Sequence, residues 1–95
     1  MSLETLTAKY IRSAEKVLKE LQQTKTLVTI SEADAAKVLH WASDYLEDAK
    51  YYKAQGKFET SLTSIAYCEG LLDALRLLGA VRFEWPASQE RRKLS

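Results

Sequence analysis

Between residues 31 and 79 the sequence is broken once, at Gly56-Lys57, and on both sides of that break apolar residues recur at three- and four-residue steps. Ala35, Val38, Leu39, Ala42, Tyr45, Leu46, Ala49 and Tyr52 form the stripe before it. Phe58, Leu62, Ile65 and Ala66 begin a second stripe after it. A two-residue connection permits only a tight helical hairpin, so the two helices are antiparallel neighbours. Ser31 is a suitable N-cap with Asp34 three residues on, and Gly56 and Gly79 are placed to end the helices with positive φ.

A further amphipathic helix is expected over about residues 3–23, from Leu3, Leu6, Tyr10, Ala14, Val17 and Leu21, with Ile11 and Leu18 widening the stripe. Its stripe is narrow, so it is expected to pack on one side only. Thr24, Thr26, Val28, Thr29 and Ile30 are poor helix formers. They predict a connecting loop in which Leu27, Val28 or Ile30 plugs the end of the bundle. After Gly79, Val81, Phe83 and Trp85 alternate with Arg82 and Glu84 before Pro86, the pattern of an extended segment laid on an apolar surface. The fold class is therefore all-α: a three-helix up-down-up bundle over residues 1–79, followed by a C-terminal extended tail over 80–95 whose end, with Arg91, Arg92 and Lys93, is expected to be disordered.

Composition closes several routes. Three glycines and one proline in 95 residues do not supply the turns of an all-β fold. Lys and Arg number 14 against 13 Asp and Glu, so no global field selects nucleic acid. The basic cluster Arg91-Arg92-Lys93 is too small to change that. The single Cys68 excludes an internal disulfide framework and fits a reducing compartment. No apolar run approaches the roughly 20 residues of a membrane span, and no targeting segment is seen at the start. A cytoplasmic protein is expected.

The third helix departs from simple amphipathicity. In its second half the apolar residues Tyr67, Leu71, Leu75 and Leu78 move to the other side, while Glu69, Asp73 and Arg76 fall in line with Phe58, Leu62 and Ile65. Either the contact rotates along the helix or charged groups point inward. A helix apolar nearly all round is covered on more than one side. Tyr67, Leu71, Leu75 and Leu78, with Phe83 and Trp85 as tail anchors, are thus the candidate interface. The cover is either the chain itself or a homodimer or partner protein. Tyr45, Tyr52, Glu69, Asp73 and Arg76 are the candidate polar core, read as a register-fixing pin or as the lining of a ligand pocket. Gly70, costly in mid-helix, suggests a close helix approach.

Catalytic signatures are weak. His40 and Asp44 lie one turn apart on a polar face, which alone is a solvated pattern rather than a metal site. Cys68 borders the apolar side and has no His partner. The chain has neither a glycine-rich phosphate loop nor a serine-centred elbow. No catalytic residue, metal or cofactor is expected.

The run Asp48-Ala49-Lys50-Tyr51-Tyr52, then Gly56-Lys57-Phe58, then Ile65-Ala66-Tyr67-Cys68-Glu69-Gly70-Leu71-Leu72-Asp73-Ala74, closing with Leu77-Leu78-Gly79, resembles the archaeal family known as domain of unknown function 357. The resemblance covers about residues 45–79. It implies a small three-helix bundle, an archaeal and cytosolic origin, and no established catalytic residues. Some members are joined to a cytidylyltransferase-like nucleotidyltransferase, which implies such an enzyme as a partner. Cys68 stands where a small residue such as Ala is expected. The function expected is a non-enzymatic helical interaction domain that self-associates or docks on a partner enzyme. The alternative is a ligand-binding accessory module of a nucleotidyltransferase.

Overall fold

The computed structural model describes residues 2–24 and 27–86. Three helices follow in order: α1 (Leu3–Glu20), α2 (Glu32–Ala54) and α3 (Phe58–Leu77). No strand occurs among the described residues. The all-α, three-helix class is therefore as expected, and an up-down-up order is compatible with it. The expected end of the tail, including Arg91, Arg92 and Lys93, lies outside the described residues.

Local sequence sets the helix ends. The Ser2 hydroxyl accepts from the Thr5 N–H at 3.1 Å and the Ser31 hydroxyl from the Asp34 N–H at 3.0 Å, each satisfying a donor the helix leaves free. Both C-termini after the first are Schellman motifs. Gly56 (φ 74°) donates to Lys53 O and the next N–H, of Lys57, reaches back to Tyr52 O. Gly79 (φ 79°) donates to Arg76 O, and Ala80 to Leu75 O. Each glycine takes the left-handed conformation that L side chains resist.

The packed unit is the α2–α3 hairpin. On α2 the buried residues are Ala35, Ala42 and Ala49, seven apart, with half-buried Val38, Tyr45 and Tyr52 offset by three. On α3 the seam runs through Ser61, Ser64, Cys68, Leu71 and Leu75. This 3.5-residue repeat is that of helices crossing at about 20° with interlocking side chains. Small residues fill its middle, so the backbones approach closely. The Ser61 hydroxyl donates across the pair to the Ala49 carbonyl at 2.7 Å, which a bulkier seam would not allow.

Three expectations are corrected here. Phe58 and Leu62 do not face α2; Leu62 is 67% exposed, whereas Ser64 is buried and Ser61 half-buried. Close approach, not hydrophobicity, selects the face. Leu75, expected on an outer interface, is instead the most buried large side chain, at 3% exposure in the hairpin seam. The loop after α1 does not plug the fold, for Leu27 is 93% exposed and Val28 and Ile30 are also open.

α1 is set apart. None of its residues lies within 8 Å (Cα–Cα) of α2 or α3. Its cap residue Leu21 is extended (φ −64°, ψ 148°), directing the chain away from the helix axis. Leu3, Tyr10, Ile11, Val17, Leu18 and Leu21 are each more than half exposed, and α1 has no buried residue. The one-sided packing expected of it is not made within the described residues.

Candidate docking surface

The hairpin has two flanks, on either side of its seam. At 100° per residue, Val38, Trp41 and Tyr45 on α2 fall on the same flank as Tyr67, Leu71 and Leu78 on α3. The rings confirm the pairing. Tyr45 and Tyr67 stack at 5.1 Å between centroids with planes 18° apart, and Trp41 sits 6.3 Å from Tyr45. Val38, Trp41, Tyr45, Tyr67 and Leu71 line a shallow, almost wholly apolar groove. A neighbouring depression on α3, lined by Thr63, Ala66, Tyr67, Gly70 and Leu71, continues it outward. Trp41 and Tyr67 are each 57% exposed, so this aromatic flank is open.

Gly70 belongs to that depression. Nothing lies within 4 Å of where a Cβ would stand on it, so the close helix approach expected of it is not made among the described residues. With Thr63, Ala66 and Ala74 it leaves a low strip beside Tyr67.

The opposite flank is occupied at one end by the tail. Trp85 donates its indole N–H to Asp73 Oδ1 at 2.8 Å. Phe83 meets Trp85 edge to face at 5.0 Å, and the Arg76 guanidinium carbon lies 5.7 Å from the Phe83 ring centre. Arg76 also pairs with Asp73 at 3.4 Å, partly exposed, a contact of small net worth. The tail is thus pinned by one good hydrogen bond and an aromatic–cation stack.

The candidate interface residues therefore separate. Tyr67 and Leu71 border the open groove, and Leu78 is exposed on that side at the helix end. Leu75 is internal, while Phe83 and Trp85 are half-buried against the other flank. Of the candidate polar core, Asp73 and Arg76 are brought together, beside the tail. Tyr45 lies in the aromatic groove, and half-buried Tyr52 packs edge to face with Tyr51 near the hairpin turn. Glu69 is half-buried. The five do not share one lining. Trp41 and Val38 complete the groove and were not singled out from sequence. Their signal is the i, i+3, i+7 spacing with Tyr45 along one edge of the α2 stripe.

The titratable groups are mostly solvated. His40 Nε2 lies 3.5 Å from Asp44 Oδ2 on an exposed face. Cys68 is free and buried, and burial, with the Glu69 charge beside it, pushes its thiol pKa up, which makes it a poor nucleophile. No group of three or more His, Cys, Asp or Glu is placed to hold a metal among the described residues. No helix among them is long and apolar enough to cross a membrane.

A family model for proteins of unknown function, DUF357, matches residues 9–81, from the first turns of α1 to the start of the tail. The chain belongs to the DUF357 family. The match takes in most of α1 as well as the hairpin. No curated protein and no solved structure matches the chain.

Proposed function

We propose that this DUF357 chain is a non-catalytic helical interaction module, which self-associates or docks on a partner protein such as an enzyme. The observation that carries this reading is the uncovered aromatic groove of Val38, Trp41, Tyr45, Tyr67 and Leu71, on a hairpin whose own core is thin. The core consists of Ala35, Ala42, Ala49, Cys68 and Leu75, with no large side chain fully enclosed. A domain this small gains little stability from such a core and normally adds a staple or an association. Large apolar patches that stay open on a soluble chain mark places where another surface binds. The free thiol fits a reducing, cytoplasmic setting.

The test is sedimentation velocity over a concentration series, wild type against Tyr67→Ala and Trp41→Ala. Association that weakens at least tenfold in either variant, with helicity retained, is the expected result. A wild type that stays monomeric at high micromolar concentration and binds no protein through this flank refutes the reading.

A further inference from the structure

We draw no further inference here: the strongest candidate, the open aromatic flank of the α2–α3 hairpin around Trp41, Tyr45, Tyr67 and Leu71, is an apolar face for which nothing in the structure shows whether the chain's own α1, a second copy or another protein covers it.

Discussion

Leu75 and Leu62 sit on the same helix, are chemically identical, and differ in where the structure puts them. Leu75 is 3% exposed in the α2–α3 seam, whereas Leu62 is mostly solvated. Leu75→Ala removes three carbons from a closed site. At about 0.8 kcal/mol for each buried methylene the transfer loss is about 2.4 kcal/mol, and an unfilled cavity adds to it. The seam holds only two helices and small neighbours, so it can partly collapse, and the expected cost is about 2–3 kcal/mol. Leu62→Ala should cost less than about 0.5 kcal/mol, the usual scale for surface sites. Urea unfolding followed by far-UV circular dichroism, at one fixed protein concentration, measures both. For a domain this size the Leu75 variant should also melt on the order of 10 °C lower. Equal losses, or a larger loss at Leu62, would mean that α3 meets α2 through its Phe58–Leu62 face. The close-packed serine and cysteine seam would then be wrong.

Two further outcomes follow from the tail and the thiol. Asp73→Ala removes the acceptor of the Trp85 indole and the partner of Arg76, so the tail should detach; trypsin should then cut after Arg82 several-fold faster, with the hairpin's helicity unchanged. Unaltered cleavage would show that the aromatic contacts alone hold the tail. Burial raises the Cys68 thiol above its ordinary value, so folding favours the protonated form. That contribution is whole below the ordinary thiol pKa of about 8.5 and fades as pH climbs through the raised one. The urea midpoint should therefore fall more steeply with alkaline pH in the wild type than in Cys68→Ala, and parallel curves would count against it.

What the sequence determined by itself is the local part. Ser2 and Ser31 cap, Gly56 and Gly79 reverse the backbone, and the periodic stripes between them give three helices close to their expected bounds, because each of these effects acts within a few residues. That Phe83 and Trp85 would lay the tail on the helices was legible from their alternation with charged neighbours, but not that they would seat at Asp73 and Arg76, on the flank away from Tyr67 and Leu71. The burial pattern was not. Hydropathy marked Phe58 and Leu62 as inner positions, yet Ser61, Ser64 and Cys68 are inner, since two helices close most tightly where side chains are small and one hydroxyl can reach a carbonyl across the gap. Nor could periodicity say that α1, with the clearest stripe in the chain, would stand clear of the hairpin. An amphipathic pattern records that a surface must be covered, and only the arrangement of the helices in space decides what is there to cover it.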